Sequence, residues 1–153
     1  MTNNQSFGWI SLRASSSMRV AQYRLPKVEG DGEDASLVIY YFGQGQGGSV
    51  DANLDRWINQ MQQPDGKPSK ERAKTDIKTV NGLKVTRLDV SGTYTAEMAP
   101  GSGDRHNNTN FRMQAAVVET PKGAYYVKLV GPEKTIAKWD SSFSTFVDSF
   151  EFK

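Results

Sequence analysis

Six apolar or aromatic residues in succession, Leu37-Val38-Ile39-Tyr40-Tyr41-Phe42, constrain the fold of this chain more than any other feature. A run this short, and this rich in β-branched and aromatic side chains, reads as a strand buried on both faces. It predicts a central strand with material packed above and below a sheet. The residues that follow agree with it. Gly43-Gln44-Gly45-Gln46-Gly47-Gly48 can reverse the chain, and Ser49 suits a helix N-cap. Val50, Leu54, Trp57, Ile58 and Met61 then form one apolar stripe at i, i+4, i+7, i+8 and i+11. Asp51 suits the positive end of that helix, and Pro64 is expected to end it. Ser36 to Met61 is therefore read as strand, glycine turn and amphipathic helix.

The same glycines satisfy G-x-G-x-x-G, the dinucleotide-binding pattern. That chemistry needs a second, parallel strand after the helix, with an acidic residue near its end for the ribose. Here the helix leads into a polar, basic stretch, Gln62 to Asp76, and then into Asn81-Gly82. An Asn-Gly pair between alternating segments favours a two-residue antiparallel hairpin, because both turn positions take positive φ. Asp65 has the spacing of a ribose ligand but sits in a Pro64-Asp65-Gly66 turn, and Ser49 stands where a P-loop would need lysine. The glycines are read as a packing device. Gly45, Gln46 and Gly47 remain candidates for a ligand or partner surface, since free N–H groups at a helix start can meet an anion.

Elsewhere the chain alternates short strands and turns. Phe7 to Leu12 and Met18 to Leu25 are predicted strands separated by Ser15-Ser16-Ser17, the second stopped by Pro26. In Met18 to Leu25, Ala21, Tyr23 and Leu25 share one face and Arg19 falls off the pattern. The strand after Asn81-Gly82 changes phase between Val85 and Leu88, which predicts a bulge near Thr86 and Arg87. Phe111 to Thr120 and Ala124 to Gly131 form a second hairpin around Pro121-Lys122-Gly123. Pro132 then suits the first turn of a helix whose apolar face is Ile136, Trp139, Phe143, Phe146, Val147 and Phe150. One domain over residues 1–153 is expected, with 1–6 as a disordered tail.

Composition removes several functions. No cysteine is present, which excludes disulfides and thiolate chemistry. A net charge of +2 is too small to imply nucleic acid, and the basic stretch has no interleaved aromatics for base stacking. No apolar run approaches the roughly 18–20 residues that span a bilayer, so no membrane insertion is expected. Three chemical sites stay open. Asp31, Glu33 and Asp34, with Glu29, could hold a hard cation such as Ca²⁺ or Mn²⁺, although their spacing is not that of a calcium loop and a solvated turn is the simpler reading. His106, the single histidine, lies beside Asp104 and Arg105 in the irregular segment Ala96 to Asn110. A segment of that length is usually functional or mobile, which makes Asp104, Arg105 and His106 a candidate partner surface. A hydrolase or isomerase using His106 and a carboxylate is the enzymatic alternative.

The Leu37-to-Gly43 strand with its helix ending at Trp57, the Asn81-Gly82 turn, and Tyr125-Tyr126-Val127-Lys128-Leu129-Val130-Gly131-Pro132 followed by Trp139, Phe143 and Ser149-Phe150 together resemble the PsbP-like proteins. That family shares its fold with a small Ran-binding nuclear import factor. The resemblance implies an α+β fold, an antiparallel sheet sandwiched between helices (an α/β/α sandwich), and carries no catalytic residues. It also implies an uncharacterised bacterial type of accessory or binding protein, with an extracytoplasmic setting favoured through a signal removed or upstream. The expectation is thus a non-enzymatic binding or accessory domain without a cofactor, taking a protein partner or a small ligand.

Overall fold

The computed structural model describes residues 8–13, 18–97 and 102–151. The expected tail at 1–6 and the Ser15-Ser16-Ser17 break lie outside them. Eight strands run β1 (Ile10–Leu12), β2 (Arg19–Leu25), β3 (Ala35–Tyr41), β4 (Met61–Gln62), β5 (Lys74–Val80), β6 (Leu83–Tyr94), β7 (Asn108–Thr120) and β8 (Gly123–Pro132). Helix α1 (Val50–Ile58) follows β3 and helix α2 (Glu133–Asp148) follows β8, with a 3₁₀ turn at Ser69–Glu71. All strands join one antiparallel sheet in the order β1-β2-β3-β8-β7-β6-β4, with β5 also paired to β6.

The expected sandwich of a sheet between helices does not form. Among the described residues the molecule is 21% helical and 46% strand, a β-rich fold with two helices. Geometry explains the difference. Seven strands abreast span roughly 29 Å at their usual spacing, whereas a helix is about 10 Å across. One helix on each face covers a stripe of that width and leaves strands at the sides bare.

The two faces are set by the register of β3 and β8. Leu37 pairs with Leu129 and Ile39 with Val127, and all four sit in the core beneath α2. Ile136, Phe143, Phe146 and Val147 of α2 close that core, together with Trp9, Tyr23, Val85 and Val118. Trp9 meets Phe146 and Tyr23 edge-to-face at 5.2 and 5.8 Å, a preferred aromatic geometry. A polar strut crosses the same interface. Arg112 forks onto Asp89 at 2.9 and 2.6 Å, and Gln114 Nε2 donates to Asp140 of α2 at 2.6 Å. On the other face, Leu54, Trp57 and Ile58 of α1 pack on Leu88, Val90, Met113, Ala115, Val117 and Tyr126.

Three local expectations change. The phase change in β6 is no bulge, because pairing with β7 runs uninterrupted from Lys84 to Gly92 and the irregularity falls between Gly92 and Tyr94. Both faces of β6 are buried there, so Val85 can serve one core and Leu88 the other. Helix α1 stops at Ile58, capped by Asn59, and not at Pro64. Met61 is buried in β4 opposite Tyr94, so its place in the helical stripe is a coincidence of spacing. The polar stretch after it holds the 3₁₀ turn and enters β5 at Lys74. The Asn81-Gly82 turn has φ of 49° and 79°, as a type I′ hairpin needs.

Asn53 fastens α1 to the glycine turn. It is buried, its Nδ2 donates to the carbonyls of Gly47 and Ser49 at 2.7 and 2.8 Å, and its Oδ1 accepts from Arg56 at 2.5 Å. Asn53→Ala strands the Gly47 carbonyl and is expected to cost about 1–3 kcal/mol. Urea denaturation checks this, and a midpoint equal to wild type would show the strap to be idle.

Candidate functional site

Because α1 covers only part of its face, a cavity of about 1050 Å³ remains beside it, over β2, β3, β8 and the start of the segment after β6. That is the size of a small-molecule site. Val38, Phe111 and Val130 give it apolar walls, and Tyr40, Tyr94 and Lys128 bring polar groups to them.

Lys128 is the residue that needs explaining. It sits in the middle of β8, on the α1 face, directly between Val38 of β3 and Ala115 of β7. Lysine is rarely placed in such a position unless it is paired. Its Nζ donates to Gln60 Oε1 at 2.5 Å and to the Tyr94 hydroxyl at 3.2 Å, and lies 5.3 Å from the Tyr94 ring centre. No carboxylate reaches it among the described residues. Burial first, then the Arg56 and Arg19 charges, hold the ammonium down to about 7. Burial, with Tyr40 beside it, pushes the Tyr94 phenol up to about 12, so this hydroxyl stays neutral.

The sequence positions the two arginines by different means. In a regular β2, Arg19 would share the face of Ala21 and Tyr23 and enter the core under α2. A bulge between Arg19 and Ala21 instead places Arg19 opposite Tyr40, with its guanidinium 5.5 Å from that ring. Re-aiming a side chain is what bulges do, and it explains why Arg19 fell off the strand pattern. Arg56 reaches the cavity from the last turn of α1 and is braced by Asn53.

The sequence-predicted residues divide. Arg105, His106, Glu33 and Asp34 all line the cavity, brought together from two distant segments. Asp104 does not line it, and neither do Gly45, Gln46 and Gly47. Gly47 has φ of +90°, and a Cβ there would lie 2.9 Å from the Phe42 ring and 3.1 Å from the Tyr126 hydroxyl. Gly47 therefore serves the close approach of the turn to the sheet. The acidic residues are engaged separately. Asp31 accepts from Thr135 at 2.5 Å, while Asp34 takes the Lys27 N–H and pairs with Arg24. Among the described residues no group of three or more acidic or histidine side chains is placed to hold a metal ion. His106 packs on Tyr94 at 5.1 Å between ring centres, and its Nδ1 lies 3.4 Å from Asn108 Nδ2. Lys128, Arg19, Arg56 and Tyr94 were missed. The available signal was a single lysine inside the apolar strand Tyr125 to Val130.

No protein-family model and no curated protein sequence matches the chain. Among solved structures the chain is similar to PA94 from Pseudomonas aeruginosa, a protein of unknown function described as a candidate regulator. The TM-score is 0.58 at 10% identity, over 95% of this chain and 97% of that one. At that identity the likeness shows a shared fold and nothing of function. No helix among the described residues is long and apolar enough to cross a membrane.

A lysine held near 7 affects stability with a definite sign. Between about pH 7 and the ordinary lysine value of 10.5 the unfolded chain binds a proton that the folded chain does not. Lys128 therefore costs stability most at and below pH 7, and the cost fades as pH rises. Lys128→Met is expected to stabilise the protein by about 1–3 kcal/mol at pH 6 and by much less at pH 10. Urea midpoints at the two pH values measure it; a gain of equal size at both would contradict the depressed titration.

Proposed function

We propose that this chain is a non-enzymatic binding domain and that its ligand occupies the cavity left open beside α1. The observation that carries this reading is the mixture of apolar walls and converging polar groups around Lys128. Such a lysine is an expense in a folding core and an asset in a binding site, where polar groups that fold poorly can be matched by a ligand. The enzymatic alternative has less to support it. Among the described residues the hydrogen-bond partner of the His106 ring is Asn108 and not a carboxylate. The cation-binding alternative loses support because Asp31 and Asp34 are committed to Thr135 and to Arg24 and Lys27.

A fragment set followed by amide shifts in two-dimensional NMR tests the site directly. Bound fragments are expected to move residues 36–40, 94–97, 105–108 and 126–130 together. Ser36 is exposed and lines the cavity, so Ser36→Trp should fill it without disturbing the core and abolish those shifts. Fragments that instead map to the 43–48 turn or the β1 edge would sink the assignment.

A further inference from the structure

We infer that the ligand is a small amphipathic anion, its carboxylate or phosphate held by Arg19, Arg56 and Lys128 and its apolar body against Val38, Phe111 and Val130. The inference rests on the binding function proposed above and names the class of ligand.

Charge accounting comes first. Arg19, Arg56 and Lys128 line one cavity, and none of them makes an ion pair among the described residues. Among the described residues Arg19 lies over the Tyr40 ring and Arg56 donates to the neutral Asn53 amide. The acidic residues that share the cavity do not answer them. Asp34 pairs with Arg24, Glu97 with Arg105, and Glu33 is exposed. A second cleft of about 690 Å³ beside β6 and β7 behaves differently, since its arginines are neutralised, Arg112 by Asp89 and Arg72 by Asp65. What sets the first cavity apart is convergence: three cations from three elements meet there without a carboxylate partner among the described residues, whereas both arginines of the second cleft are matched.

Donor accounting agrees. An ammonium has three hydrogens and no acceptor. Two of those on Lys128 go to Gln60 and Tyr94. The Tyr94 oxygen accepts from Lys128, which leaves its own hydrogen to donate elsewhere. One ammonium hydrogen and one phenol hydrogen therefore have no acceptor among the described residues. An oxyanion supplies several acceptors at once, and charge-assisted bonds to it are the strong kind. A cationic ligand would meet three like charges and supply none.

The groups facing Lys128 also set the pH response. Arg19 on β2, Tyr40 on β3, Arg56 on α1 and Tyr94 on β6 surround it. The two connecting segments add Glu33 and Asp34 on one side and Glu97, Arg105 and His106 on the other. Because Arg19 and Arg56 help to drive the proton off, an anion that neutralises them brings it back. Anion binding above pH 7 is therefore coupled to proton uptake.

Four naphthalenes of one shape make the test: 2-naphthoate, 2-naphthyl phosphate, 2-naphthamide and 2-naphthylmethylamine, titrated by calorimetry at pH 6.0 and 8.5. One or both anions are expected to bind about 10-fold or more tighter than the amide at pH 6.0. The tighter of the two names the head group. The amine should bind least, and the anion's advantage should fall several-fold at pH 8.5 with proton uptake seen as a buffer-dependent heat. Lys128→Met should remove the advantage together with its pH dependence, and Arg19→Gln should weaken it. Equal binding of amide and anion, or preference for the amine, overturns the anion inference while the cavity stands as a binding site. Binding undiminished in Ser36→Trp, or no binding by any of the four, removes the cavity reading itself. A pH dependence of 2-naphthoate binding retained in Lys128→Met overturns the part given to this lysine.

Discussion

Leu37, Ile39, Val127 and Leu129 face α2, while Val38, Tyr40, Tyr126 and Lys128 face the other way, and the pairing of β3 with β8 enforces both at once. The rest of the molecule depends on that register. Strand side chains alternate with a period of two, so slipping β8 by one residue would exchange every pair. Lys128 would then enter the sealed core beside Phe143 and Phe146, where an unpaired ammonium is far costlier than on an open face. The lysine that makes the site also penalises the wrong register.

Unequal cover by the two helices produces the site. Helix α2 has 16 residues and lies over the centre of its face, with Trp9 and the β1–β2 side completing the seal. Helix α1 has nine residues and shields the half of its face built on β6, β7 and Tyr126. What remains over β2, β3 and the lower part of β8 is too polar to collapse and too apolar to be merely wet surface. Three positive side chains enter it from three elements. The fold can tolerate their repulsion because the opposite face holds most of the large fully buried side chains.

Much of the fold was legible locally. Leu37 to Tyr41 of the apolar run lie in a strand inside the sheet, with Phe42 just past its end, Ser49 caps α1 by accepting from Ala52 N–H at 3.1 Å, and Asn81-Gly82 turns as its residue types require. Each of these is decided within a few residues. The errors arose where one pattern had two readings. Val85 and Leu88 break a simple alternation both in a bulged strand and in a straight strand buried on both faces. Met61 continues a helical stripe and also fits a strand, and its pairing with Tyr94 decides for the strand. The sandwich expectation failed for a related reason, since the positions of helices can be read from periodicity but the area they must cover depends on how many strands lie abreast.

The candidate site was legible only in fragments. Arg105, His106, Glu33 and Asp34 stood out by residue type and loop length, and they do line the cavity. The sequence by itself determined which segments become strands, turns and helices, because propensity, caps and apolar spacing act over short range. It also determined that thiol chemistry is excluded. The tertiary structure alone decided that Arg19, Arg56 and Lys128 share one space. Their meeting depends on a bulge in β2, the length of α1 and the β3–β8 register, three features set by contacts between residues far apart in the chain.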